Sequence, residues 1–163
     1  MPEEAAVLEG SVILTAEGAR RLEEQLERLR SIERKEVADR IREAKAFGDL
    51  SENNEYEVAK EQQAFVEGRI LDLKRILGAA SIVEQDDVPT DQVGVGSLVE
   101  VQDMEFKEKW RFQMVGPVEA NGDDKISYES PVGQSLIGSK VGETVSVDVP
   151  VGRLKFKVLK IGR

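Results

Sequence analysis

The chain has 163 residues, 40% apolar and 34% charged, and its 23 Lys and Arg against 32 Asp and Glu give a net charge of −9. That length fits one or two domains, and the acidic balance weighs against broad binding to a phosphate backbone. With no His and no Cys, the chain cannot build an imidazole acid–base step, a thiol nucleophile, a Cys- or His-based zinc site or a disulfide framework.

The first ten residues, MPEEAAVLEG, are acidic and carry no apolar signal core. No apolar run approaches a membrane span, so a cytoplasmic protein without membrane contact is expected. The chain changes character near Gly78. Residues 15–77 contain no Pro and are rich in Glu, Arg, Leu, Ala and Lys, all good helix formers. Residues 94–163 are rich in Val and Gly in short alternating runs. The division expected is an N-terminal domain, 1–80, and a C-terminal domain, 81–163, with a polar linker around Glu84–Asp91.

The first domain reads as two long helices. Thr15 is a suitable N-cap, and Glu17 suits the positive end of the helix dipole. Leu22, Leu26 and Leu29 recur at spacings of four and three. Val37, Ile41 and Ala44 continue the stripe, with Glu33 and Arg34 blurring its middle. The second helix carries Ala59, Val66, Ile70, Leu73 and Leu77, and Gly78 can end it in a left-handed cap. The short stretch Phe47–Ser51 between the stripes requires antiparallel neighbours, so a coiled-coil hairpin is expected, with Phe47 and Phe65 in its seam. About thirty residues per arm make a rod of roughly 45 Å. Each stripe is satisfied within the hairpin, so a monomer is expected.

The second domain reads as a small antiparallel β domain, which makes the fold α+β. Strands are expected at 97–101, 110–115, 125–128, 144–149 and 154–161, the last two joined by a turn at Pro150–Arg153. Residues 131–138 suit a short helix, with Ser130 as N-cap, Pro131 at its first position and Gly138 ending it. Leu136 and Ile137 would cover the sheet.

The chemistry concentrates at Gly48-Asp49-Leu50-Ser51-Glu52-Asn53-Asn54-Glu55-Tyr56-Glu57. From Ala46 to Ala59 there are four acids and no base. One reading is capping: Asp49 as N-cap with Glu52 three residues on forms a capping box, and Ser51 is a second-choice cap. The other is metal. Mg²⁺ takes oxygen ligands and is often held by one or two carboxylates plus substrate phosphates. Asp49 and Glu52 on a tip would hold it poorly alone, but they can complete a site that already contains phosphate and another ion. Glu55, one helical turn after Glu52, can assist the ion or simply favour the helix dipole. Asn53 and Tyr56 read as structural, bonding the turn and packing against Phe47.

The pattern Gly-Asp-Leu-x-Glu-Asn-x-Glu-Tyr at 48–56 resembles the tip motif of bacterial transcript cleavage factors of the Gre family. Leu14-Thr15-x-x-Gly18, the Glu61–Ile70 stretch and Ser130-Pro131-x-Gly133-x-x-Leu136-Ile137-Gly138 match it in the same order, across essentially the whole chain. The resemblance implies a C-terminal domain with an FKBP-like fold that docks on RNA polymerase, and a coiled-coil hairpin inserted into the polymerase's secondary channel. It implies that Asp49 and Glu52 help hold the second Mg²⁺ of the polymerase active site, where the extruded 3′ RNA of a backtracked complex is hydrolysed. Ser51 and Glu55 are candidates for orienting a water. A basic patch touching that RNA would draw on Arg40, Arg42, Lys45 and Lys60. For Arg40 a plain surface pair with Glu36 competes with that role. The factor would activate polymerase in trans rather than act as an enzyme, and no sequence-specific DNA binding is implied.

Two other functions compete. A Gre-like inhibitor would block the channel without promoting cleavage, although the tip here keeps the cleavage-type spacing. A prolyl isomerase or chaperone would use the FKBP-like module, but such a pocket needs a wall of aromatics. The domain offers only Phe106, Trp110, Phe112, Tyr128 and Phe156, spread along different strands.

Overall fold

A computed structural model describes residues 12–48 and 53–163. They fall into a helical unit, Ala19–Ala79, and a β unit that joins residues 12–18 to Ala80–Arg163. This differs from the 1–80 and 81–163 boundary at one place. Val12–Thr15 forms strand β1, which pairs in parallel with β2 (Ala80–Val83), Val12 opposite Ala80 and Thr15 opposite Val83. A four-residue apolar run has no periodicity of its own, and its partner lies more than sixty residues away, so pattern alone does not find it. Among the described residues, no helix is long and apolar enough to cross a membrane.

The first arm is not one uninterrupted α-helix. Helix α1 (Ala16–Arg28) passes through a π turn, Leu29–Glu33, into α2 (Arg34–Lys45). Arg34 N–H donates to the Leu29 carbonyl, five residues back. This is the physical reason for the blurred stripe. Leu29 and Val37, both buried, are eight residues apart, one more than a heptad allows, and a π turn absorbs one extra residue. The seam then resumes at Val37, Ile41 and Ala44. Val37 and Ile41 pack with Leu26 and Leu29 against Ala59, Val66, Ile70 and Leu73 of the returning helix, α3 (Asn54–Ala79). Gly78 does not end α3, which runs on to Ala79 and directly into β2.

Phe47 and Phe65 are not seam residues. They are 77% and 73% exposed. Phe65 precedes the buried Val66 by one residue, a rotation of about 100° away from the seam.

At the exit of the π turn, Arg34 reaches across the seam to Glu67. Nε donates to Oε1 and Nη2 to Oε2, both at 2.8 Å. Such a planar two-point pair is stronger than a single contact. The hydrogen bond from Arg34, then its charge, holds the Glu67 carboxyl below the usual Glu range. The Arg34 guanidinium is raised by the same bond. A carboxyl depressed in the folded state stabilises it above the unfolded value, and that contribution is lost as pH falls through the folded one. Hairpin stability should therefore fall on acidification below about pH 4.3, and Glu67→Gln should flatten that limb while lowering stability at neutral pH. Far-UV circular dichroism melts from pH 7 to 3 would show it; parallel acid limbs would remove the pair from the account.

The β unit is built on a five-stranded sheet, ordered β5-β4-β3-β7-β6. Its strands are β3 (Leu98–Asp103), β4 (Lys109–Val115), β5 (Lys125–Ser127), β6 (Thr144–Val149) and β7 (Gly152–Gly162). Three pairings are antiparallel. The edge strand β5 instead pairs in parallel with β4, so the sheet is mixed. The β6–β7 hairpin turns through Pro150 and Val151, with Gly152 at φ +135°.

Helix α4 (Pro131–Leu136) starts as its sequence indicates, with Pro131 first and Ser130 Oγ accepting from Gly133 N–H at 3.1 Å. Leu136 is fully buried against the sheet, whereas Ile137 is 40% exposed and stands outside the core cluster. Trp110 and Phe112 pack with ring centres 4.7 Å apart, and Trp110 and Phe156 at 6.1 Å. Trp110 and Phe112 of β4 meet Phe156 of β7, but Phe112 and Phe156 are buried and fill the core. The segment after β2 is less idle than its polarity suggests, because Val88 is buried there.

Candidate functional site

The four residues Asp49, Leu50, Ser51 and Glu52 lie outside the described residues, so the Asp49, Ser51 and Glu52 assignments have no geometry to report. The helix ends on either side of them are well defined. On the entering side, Ala46, Phe47 and Gly48 close the last turn of α2 through N–H bonds to carbonyls three and four residues back, and Gly48 adopts φ +113°. That left-handed backbone is open to glycine at little cost and is the usual way to leave a helix.

On the leaving side, Asn53 is the cap of α3. Its carbonyl accepts the first helical bond, from Glu57 N–H, and its Oδ1 accepts from Tyr56 N–H at 3.1 Å. The capping role considered for Asp49 with Glu52 is thus taken by Asn53 with Tyr56 at the third position. Asn53 does more than cap. Its Nδ2 donates to the Ala44 carbonyl at 2.6 Å, which would otherwise be one of the open carbonyls at the end of α2. One amide side chain, donor on one side and acceptor on the other, ties the end of α2 to the start of α3. Its capacity to cap was legible in the sequence, but its bond to Ala44 was not.

This joint carries a test. Asn53→Ala should cost about 1 kcal/mol for the lost cap, and more because the Ala44 carbonyl loses its donor. Asn53→Asp keeps the acceptor for Tyr56 N–H but removes the donor, so it should fall between. Urea unfolding followed by helical circular dichroism measures both, and equal midpoints for all three proteins would show that the joint contributes nothing.

Glu55 sits exposed in the first turn of α3 together with Glu57, where the dipole favours negative charge. Tyr56 is partly buried against the seam. The four cations are exposed, and three have polar partners. Arg40 Nη1 donates across the hairpin to Gln62 Oε1 rather than pairing with Glu36. Arg42 Nη1 pairs with Asp39 Oδ1 at 3.1 Å, and Lys60 Nζ donates to Gln63 Oε1 at 2.9 Å. Arg40 and Arg42 are two positions apart and so point to different sides of α2, while Arg42 and Lys45 share one side. Among the described residues, no group of three or more acids is arranged to hold a metal ion.

Two family models match the chain. One is described as "Transcription elongation factor, N-terminal", over residues 12–82. The other is "Transcription elongation factor, GreA/GreB, C-term", over residues 88–163. The transcription elongation factor GreA of Acetivibrio thermocellus is 50% identical over 151 residues, covering 92% of this chain and 95% of that protein. Its namesake from Caldanaerobacter subterraneus subsp. tengcongensis is 50% identical over 153 residues, covering 93% and 98%. Among solved structures, GreA factor homolog 1 (Gfh1) of Thermus thermophilus is 36% identical over 94% of this chain and 99% of that one, with a TM-score of 0.44. Matched by one model over residues 12–82 and by the other over 88–163, and half identical to GreA proteins over nearly its whole length, the chain belongs to the GreA/GreB family of transcription elongation factors.

Proposed function

We propose that this chain rescues arrested RNA polymerase by lending it two carboxylates. The β unit docks on the polymerase, the helical hairpin enters the secondary channel, and Asp49 and Glu52 complete the second Mg²⁺ position of the polymerase's own active site. The observation that carries this reading is the Asn53 joint. Asn53 ties two helix ends together at the base of the tip motif and supplies a cap for α3, so whatever that motif carries is presented from a braced joint.

Magnesium there supplies an acidified water and steadies the leaving oxygen of the phosphodiester. The chain contributes charge and position: two oxygens for an ion that is reluctant to lose its waters, held on a stem that restricts their wandering. Glu55 and Ser51 act beside them on water. Arg40, Arg42, Lys45 and Lys60 line the arm where the extruded 3′ RNA would pass. The factor is a cytoplasmic monomer, has no hydrolytic site of its own and reads no DNA sequence.

Halted elongation complexes incubated with Mg²⁺, with and without the protein, test this directly. RNA resolved on a gel should shorten from its 3′ end only when the protein is present, and the shortened RNA should extend again on addition of nucleotides. RNA of unchanged length overturns the reading. Unchanged length with slowed extension is the mark of a channel-blocking inhibitor instead.

A further inference from the structure

The Leu14-Thr15-x-x-Gly18 opening has no part in that chemistry, yet it makes a short polar contact with a residue 104 positions away in the same β unit. Thr15 is the N-cap of α1, its Oγ1 accepting from Gly18 N–H at 3.0 Å. A hydroxyl has one proton to give, and Thr15 gives it to Glu119, Oγ1 to Oε1 at 2.6 Å. Thr15 N–H donates to the other oxygen of the same carboxylate at 2.8 Å. Glu119 lies in the loop between β4 and β5, 104 residues away. Its two oxygens thus take both donors of the residue where β1 becomes α1, and by fixing the hydroxyl proton they aim the cap's lone pair at Gly18.

Gly18 sits in the first turn of α1, where glycine is a poor helix former. The reason is steric: a methyl on Gly18 would overlap the Glu119 carboxylate. The first turn of α1, Ala16–Gly18, belongs to the β unit, so the link to Glu119 fixes the start of that helix within its own unit.

We propose that Glu119 is a positioning residue for polymerase rescue: it seats the root of the helical arm, and residue 18 is glycine so that the carboxylate can reach Thr15. This rests on the function proposed above. With the seat broken, the factor still docks through its β unit, but the tip is delivered less faithfully, so the defect falls on the rate at saturation and not on the concentration needed.

Full-length variants are titrated against halted complexes. Glu119→Ala should lower the saturating cleavage rate roughly tenfold with an unchanged half-saturating concentration. Glu119→Gln, which keeps one acceptor, should recover part of it. Gly18→Ala should reproduce the defect, and Gly18→Ala combined with Glu119→Ala should be no worse than either alone, since the methyl then has nothing to displace. Amide hydrogen exchange at Thr15 and Gly18 reads the link without any activity, and should quicken at least tenfold in Glu119→Ala. A wild-type saturating rate in Glu119→Ala, a defect confined to half-saturation, additive losses in the double variant, or unchanged exchange at Thr15 would each overturn the proposal. A wild-type chain that shortens no RNA overturns the function and this role together, while exchange still decides whether the link exists.

Discussion

Asp49→Asn and Glu52→Gln should each reduce factor-dependent RNA cleavage about a hundredfold or more while leaving melting and polymerase binding as they are. Losing a charged ligand from a metal position removes several kcal/mol of transition-state stabilisation, and each 1.36 kcal/mol is tenfold in rate. The substitutions are chosen to spare structure. Asn caps as well as Asp, and Gln serves a capping box as well as Glu. The joint at Asn53 sharpens the test further, because α3 takes its cap from that residue and the end of α2 takes its donor from it. Cleavage assays beside binding by competition separate the outcomes. Wild-type cleavage by both variants would remove the metal role, and lost binding would recast the tip as a docking element.

Gly133→Ala should be severely damaging, costing about 3 kcal/mol or more. Gly133 is the third residue of α4, and its N–H is held by Ser130 Oγ. A methyl there would overlap the Ser127 carbonyl oxygen and crowd the Tyr128 backbone. Both obstacles are main chain, so no rotamer change relieves them. The helix would have to lift, and Leu136 with it, out of a core it fills completely. The control is Gly78→Ala. That glycine lies inside α3 with open space around the added carbon, so alanine should stabilise by about 0.5–1 kcal/mol. Denaturant midpoints of the two variants should move in opposite directions. A wild-type midpoint for Gly133→Ala would show that α4 can shift freely over β5.

The seam was legible because its signal is local. Leu22, Leu26 and Leu29, and Val66, Ile70 and Leu73, recur at helical spacing, and they are what packs. Even the blurred middle at Glu33 and Arg34 was information, since the eight-residue step from Leu29 to Val37 is the trace of the π turn. Pairing across long intervals left no such trace. Nothing near Arg34 names Glu67, nothing near Thr15 names Glu119, and β1 does not name β2. The direction of β5 was misjudged for a related reason, as three residues carry no mark of which way they run. At the tip the difficulty was surplus rather than silence. Asp49, Ser51, Asn53 and Asn54 can all cap a helix, and the choice falls to Asn53, which also reaches the Ala44 carbonyl.

The parallel ladder of Val12–Thr15 with Ala80–Val83 has a consequence for biosynthesis. Ile13 and Leu14 end up almost wholly enclosed, partly against Gly116, which has no room for a side chain beside the Ile13 carbonyl. A ribosome adding roughly 5–20 residues per second leaves that greasy tetrapeptide without its neighbour for several seconds. Meanwhile everything needed for the helical seam has already emerged. The hairpin closes from nearby contacts alone, so it can fold early and bring residue 15 close to residue 80. The arm thus serves as its own assembly jig, shortening the interval in which the nascent chain is sticky.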